Sequence, residues 1–202
     1  GRASRAGDRK VFARRLVRTD RPVCGREFRP MQPTDTPAGG DSANPRVAFP
    51  ARPSDKATLA ATDAPFAPKF DEHGLIPCIT TDATTGDVLM FAFMNDLALA
   101  KTIETGMVHY WSRSRGKLWL KGESSGMTQK VVELLTDCDQ DVVQARVEIG
   151  TSHDGSAAAS CHVGYRNCFY RAIPTGAAPT ADGPKMSAVQ EPVYDPKKVY
   201  GK

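Results

Sequence analysis

Nine of the chain's fifteen prolines fall between Pro22 and Pro68, and they confine regular structure to the rest of the sequence. Proline has no backbone N–H to donate to a helix or sheet and locks its own φ. Arg, Ala, Asp and Gly fill the spaces between them, and no hydrophobic periodicity follows Phe12–Val17. Such a stretch buries too little apolar surface to offset backbone ordering at ~1–2 kcal/mol per residue. Residues 1–68 therefore read as a disordered arm. An Arg-rich organelle-targeting segment fits its opening. A translation start placed too far upstream fits equally, since the chain opens on Gly1 and its first methionine is Met31.

Charge divides at the same place. Residues 1–56 carry 13 basic and 6 acidic side chains, and the remaining 14 basic and 17 acidic residues leave the folded part slightly negative. The overall +4 thus sits on the arm. A basic folded surface for nucleic acid is not expected. No apolar run approaches the roughly 20 residues of a membrane helix. No secretory pattern opens the chain, and five cysteines are not an even disulfide framework, so a reducing cytoplasmic setting is expected.

From about Phe70 the pattern changes. Leu75–Thr81 and Val88–Met94 read as strands joined by the turn Asp82–Gly86. Asn95 is a helix N-cap, Leu97, Ala100 and Ile103 fall on one face, and Gly106 is a C-cap. Strand-like runs follow at Met107–Ser112, Lys117–Lys121, Lys130–Thr136 and Val142–Ile149. The expected fold is α+β, mostly antiparallel with one clear helix, in one compact domain over 69–173. Residues 174–202 form a tail with two small apolar anchors, Val193-Tyr194 and Val199-Tyr200.

Three constellations carry chemistry. Asp137, Asp139 and Asp141 alternate along what reads as extended chain, which would put three carboxylates on one face and Cys138 on the other. They fit either Mg²⁺ or Ca²⁺, or a solvated acidic turn. An EF-hand is excluded: Val142 stands where its loop needs Gly, and the flanks are β-branched. Cys138, Cys161 and Cys168 offer three thiolates, the count of an open zinc site, or are small buried hydrophobes. Cys24 falls in the arm and Cys78 in a strand core. His162, beside Cys161, reads as a general base, a ligand-shell support or a structural imidazole. Tyr110–Gly126 mixes Trp111, Ser112, Arg113, Ser114, Arg115, Lys121 and Glu123. Composition alone reads it as a basic hairpin with two core tryptophans, and its donors also suit phosphate.

In order, the chain carries Gly74-Leu-Ile-Pro77, Val88-Leu-Met90, Phe93-Met-Asn95, Tyr110-Trp-Ser-Arg-Ser-Arg115, Leu118-Trp119, Lys121-Gly-Glu123, Ser125-Gly126, Asp137-Cys-Asp139, Asp141, Cys161-His162 and Cys168-Phe-Tyr-Arg171. This series resembles phosphoribosyl-AMP cyclohydrolase, a ring-opening enzyme of histidine biosynthesis, over about Phe70–Arg171. The resemblance implies a zinc- and magnesium-dependent homodimer with a shared metal site. Zinc would bind Cys138 of one subunit with Cys161 and Cys168 of the other, and Mg²⁺ would bind Asp137, Asp139 and Asp141. His162 would be the general base. The hairpin, with Arg166 or Arg171, would hold the substrate's two phosphates. Met127 stands where the family commonly has His, and Val163-Gly-Tyr-Arg-Asn167 has one cation fewer than the family's usual run. Nothing after Arg171 is long and helical enough for a fused pyrophosphohydrolase. The competing reading is a non-catalytic protein with a structural zinc clip, closed by His153 or His162.

Overall fold

The computed structural model describes residues 48–176, 178 and 181–201. Cys24 and the first 47 positions of the arm lie outside the described residues. The fold is α+β. Its centre is a four-stranded sheet of β1 (Ile76–Asp82), β2 (Val88–Met94), β5 (Gln129–Thr136) and β6 (Val143–Ile149), in the order β2-β1-β6-β5. Between them run α2 (Asp96–Thr105) and the hairpin of β3 (His109–Ser112) and β4 (Lys117–Leu120). A two-residue pair, β7 (Arg171–Ala172) with β8 (Ser187–Ala188), and the short helices α1 (Lys56–Ala60) and α3 (Pro196–Tyr200) complete the described elements.

Local chemistry explains the elements that were expected. Asp82 Oδ1 accepts the N–H groups of Thr84 and Thr85 at 2.8 and 3.0 Å, and Gly86 takes φ +79°, so the β1–β2 turn closes on itself. Asn95 Oδ1 accepts Ala98 N–H at 2.9 Å, and Gly106 ends α2 in the left-handed region. The helix face differs from expectation. Ala98, Leu99 and Thr102 are buried, whereas Ile103 is 52% exposed. Thr102 turns inward because its hydroxyl bonds both the Ala98 carbonyl and His109 N–H. The helix is thereby rotated away from its most apolar stripe.

All pairs in the main sheet are antiparallel except β1 with β6, which run parallel. Ile76, Cys78, Leu89, Met94, Leu99, Val108, Tyr110, Val143 and Val147 fill the core on its inner face. Each such side chain contributes roughly 1.5–3 kcal/mol by leaving water. Cys78 is among them, and burial pushes its thiol up to about 12, so it is a core residue.

The arm does not extend to residue 68. Residues 48–68 are packed, because three aromatic rings reach the core: Phe49 lies 6.0 Å from both Phe66 and Phe70. Leu59 and Ala67 are buried. The segment is tied down by Gln140 in the β5–β6 turn, the one non-glycine residue with positive φ (+55°) among those described. Its side chain accepts from Ala67 N–H at 2.6 Å and donates to the Leu59 carbonyl at 3.2 Å, and its carbonyl accepts from Lys69 N–H at 2.8 Å. Spaced prolines and low hydrophobicity hid a strap held by few, well-placed contacts. A chain starting at Phe70 should therefore lose at least ~2 kcal/mol, or about 4–8 °C in Tm, measured by calorimetry. An unchanged Tm would show that the strap adds nothing.

Candidate active site

The loop Cys161–Cys168 hangs on the edge strand β2, where Cys168 N–H donates to the Leu89 carbonyl at 2.8 Å. It brings two thiols into direct interaction. Burial and the neighbouring Cys161 thiol push Cys168 up to about 11. Two sulfurs placed side by side, neither in a disulfide, form a donor pair that suits a soft or borderline cation such as zinc. Among the described residues, no third His, Cys, Asp or Glu of the same chain joins them.

Lys121 lies beside this pair. It belongs to the hairpin in sequence but is buried, at 4% exposure. Burial lowers its pKa, and the charge at Cys168 and Cys161 works against that shift. It is therefore not part of the exposed basic patch where a phosphate contact was expected. A chain of buried hydrogen bonds reaches the loop from the other side. Thr80 and Tyr110 hydroxyls lie 2.6 Å apart, Tyr110 donates to Gln129 Oε1 at 2.8 Å, and Gln129 Nε2 donates to Ser160 Oγ at 3.0 Å. Ser160 immediately precedes Cys161, so a sheet-wide polar network sets the start of the loop.

Cys138 sits at the opposite edge of the sheet, in the β5–β6 turn, exposed beside Leu59 and Ala60. Asp137, Asp139 and Asp141 occupy the same turn, with ligand oxygens all within 4.8 Å of one another. They do not alternate along a strand. Asp137 Oδ1 accepts Asp141 and Val142 N–H at 3.0 and 3.3 Å, and Gln140's left-handed backbone bends the chain between them. The carboxylates converge because the chain turns, not because it is extended. Lys69 Nζ approaches Asp141 at 3.2 Å, and Arg52 donates to the Asp139 carbonyl, so the N-terminal strap also borders this turn.

His162 is exposed, next to Pro196, Lys197 and Tyr200, and has no hydrogen-bond partner among the described residues. Among the described residues His153 makes only a backbone bond, to Ser125. On the β3–β4 hairpin, Arg113, Ser114 and Arg115 are exposed at the turn. Arg113 covers the Phe93 ring at 4.2 Å, and Arg115 donates to Ser112 Oγ at 3.0 Å. Trp111 lines an open cavity of about 570 Å³ with Phe70, His73 and Asp96. Glu123 is exposed beyond β4. Arg166 donates to Asp82 Oδ2 at 2.5 Å, pinning the cysteine loop to the end of β1, while Arg171 rests over the Tyr170 ring at 5.0 Å. Burial would raise the Asp82 carboxyl, but N–H donors from Thr85 and Thr84 and the Arg166 charge outweigh it and hold it below its ordinary value. Met127 is fully buried against Tyr194, a position an ionisable ring would not occupy cheaply.

The roles of Gln129 and Gln140 were not anticipated, and Tyr194 was expected only as an apolar anchor of the tail. Gln140 sits between two aspartates and Gln129 between Thr128 and Lys130, so nothing in the sequence sets them apart, and only tertiary partners reveal their roles.

A family model described as phosphoribosyl-AMP cyclohydrolase matches residues 90–170. A phosphoribosyl-AMP cyclohydrolase of Rhodopseudomonas palustris is 56% identical over 137 residues, spanning 66% of this chain and 85% of the relative. One from a Bradyrhizobium species is 51% identical over 138 residues, spanning 68% of this chain and 98% of the relative. One from Methanococcoides burtonii is 54% identical over 132 residues, spanning 65% of this chain and 94% of the relative. With such identity across nearly the whole of these relatives, the chain belongs to the phosphoribosyl-AMP cyclohydrolase family.

Proposed function

We propose that this chain opens the purine ring of phosphoribosyl-AMP by hydrolysis of the N1–C6 bond, as a hydrolase of histidine biosynthesis. The observation that carries the reading is the paired thiols of Cys161 and Cys168, inside the span shared with the family and beside a buried lysine. Cys138 completes the donor set from a second subunit. One chain supplies two adjoining thiols and keeps its third at the far edge of the sheet, and that arrangement favours a homodimer with a shared site. The converging oxygens of Asp137, Asp139 and Asp141 suit Mg²⁺. When bound, zinc supplies the acidity that ionises a water for attack on C6.

The chain's own groups do the rest. His162 accepts the proton from the attacking water as the C6–O bond forms and passes it to N1, which leaves as the N1–C6 bond breaks. Trp111, Ser112, Arg113, Ser114, Arg115 and Glu123 line the substrate side, and the exposed guanidiniums, with Arg171, meet the two terminal phosphates. Lys121 and Arg166 act from beneath, on the cysteine loop.

A structural clip needs a fourth protein ligand, and neither His153 nor His162 joins the two cysteines in the described chain. The free thiols, none in a disulfide among the described residues, suit a reducing cytoplasm. No helix of the described residues is long and apolar enough to cross a membrane, and no nucleic-acid partner is proposed.

The test is loss of phosphoribosyl-AMP followed by ultraviolet absorbance. Turnover that a zinc chelator abolishes, by a protein that sediments as a dimer, is the expected result. A fully active monomer would refute the shared site, and turnover indifferent to chelation would refute the zinc role.

A further inference from the structure

The C-terminal segment Ser187–Tyr200 folds back over the cysteine loop and touches it along its length. Tyr194 hydroxyl donates to the Cys161 carbonyl at 2.7 Å, in a buried contact spanning 33 residues. Val193 and Tyr194 N–H groups both reach the Gly164 carbonyl, at 2.7 and 3.3 Å. Gly164 has φ +104°, and a Cβ there would sit 2.7 Å from the Tyr194 carbonyl, so the two backbones approach as closely as glycine allows. At the other end Gln190 Nε2 donates to Asn167 Oδ1 at 3.0 Å, and the same oxygen accepts Phe169 N–H at 2.9 Å. Val189 N–H donates to the Tyr170 carbonyl at 2.9 Å, and β8 pairs with β7 directly after Cys168-Phe-Tyr170.

The contacts therefore bracket both thiols. Tyr194 holds the residue that carries the first, and Gln190 holds the residue before the second. The ring of Tyr194 is seated by Met127, Ala157 and Ala159, with Val199 and Tyr200 closing the cluster. A free loop of eight residues would lose much conformational freedom on binding a metal, whereas a braced loop has lost it already on folding.

We infer that Ser187–Tyr200 is a strap that positions the Cys161–Cys168 loop for metal binding, with Tyr194 as its principal positioning residue. This rests on the zinc reading above and adds the segment that organises two of its ligands.

The test compares full-length wild type with Tyr194→Phe, which removes one hydroxyl and leaves the apolar seat filled. Zinc affinity is read by competition with a chromophoric chelator, and site geometry by the thiolate-to-metal absorption of the cobalt(II) protein. The strap predicts affinity weaker by on the order of 10-fold or more, an altered cobalt band and an unchanged metal-free circular dichroism spectrum. Lys198→Ala, on the exposed side of α3, should bind as wild type does. Affinity within about 2-fold of wild type in Tyr194→Phe overturns the strap while leaving the zinc reading intact. Should that variant fail to fold, Gln190→Leu decides by the same two measurements. A wild type that holds no zinc overturns the zinc reading and the strap together.

Discussion

Cys161→Ser and Cys168→Ser should each lose stoichiometric zinc, and turnover should fall on the order of 10³-fold or more, because water without a metal reverts to a pKa of about 15.7. Serine keeps the size of cysteine, so the loop should stay folded on its Leu89 and Tyr194 anchors. Cys138→Ser should do the same, although Cys138 lies at the opposite edge of the sheet from the other two. That third result carries the most weight, because among the described residues of one chain Cys138 does not join the pair. Cys78→Ser is the contrasting case. It buries a hydroxyl in the core and costs stability, but should leave zinc bound. Zinc by atomic absorption, taken with turnover, checks all four. Stoichiometric zinc retained in any two of the Cys138, Cys161 and Cys168 variants would sink the assignment.

What could be read from the chain follows how local each signal is. The β1–β2 turn and α2 were legible because Asp82, Asn95 and Gly106 act on groups within four residues of themselves. The strands were legible from short apolar, aromatic and β-branched runs. The parallel pairing of β1 with β6 was not, since Cys78 and Val143 meet across 65 positions and no local pattern encodes a partner. The burial of α2 was misjudged for a related reason. Its rotation depends on Thr102 bonding His109, a contact that hydrophobic counting cannot register.

At the acidic turn the three carboxylates come together, but not by the route that alternation suggested. Alternation suggested that Asp137, Asp139 and Asp141 share a strand face, but a left-handed Gln140 gathers them in a turn. Glutamine has no ordinary preference for that conformation, so only its buried bonds to Ala67, Leu59 and Lys69 account for it. The same bonds explain why the segment over 48–68 is ordered despite its prolines. At the thiol pair, the cysteines were visible as residue types. Their contacts were not, because Tyr194 read only as an apolar anchor and its bond to the Cys161 carbonyl spans 33 residues.

His162→Ala should keep zinc and the dimer and lose roughly 10²–10⁴ in turnover. The motive is charge. Three thiolates outweigh the two positive charges of zinc, so water is acidified less than at a site of three neutral imidazoles, where its pKa falls to about 7. The protein must then furnish a base. Among the described residues His162 is the histidine adjoining one of the cysteines proposed to bind zinc. His109 is lodged against the Met107 carbonyl and lowered by burial, and His73 stands exposed beside Glu72. His162 is exposed and has no hydrogen-bond partner among the described residues. The alternative is that His162 only steadies the ligand loop. The two roles separate in the measurements. A base removed leaves zinc affinity intact and lowers kcat even when the site is full. A support removed weakens zinc binding, and the enzyme reloaded with excess metal turns over normally. Normal turnover by a zinc-replete His162→Ala protein would end the base assignment.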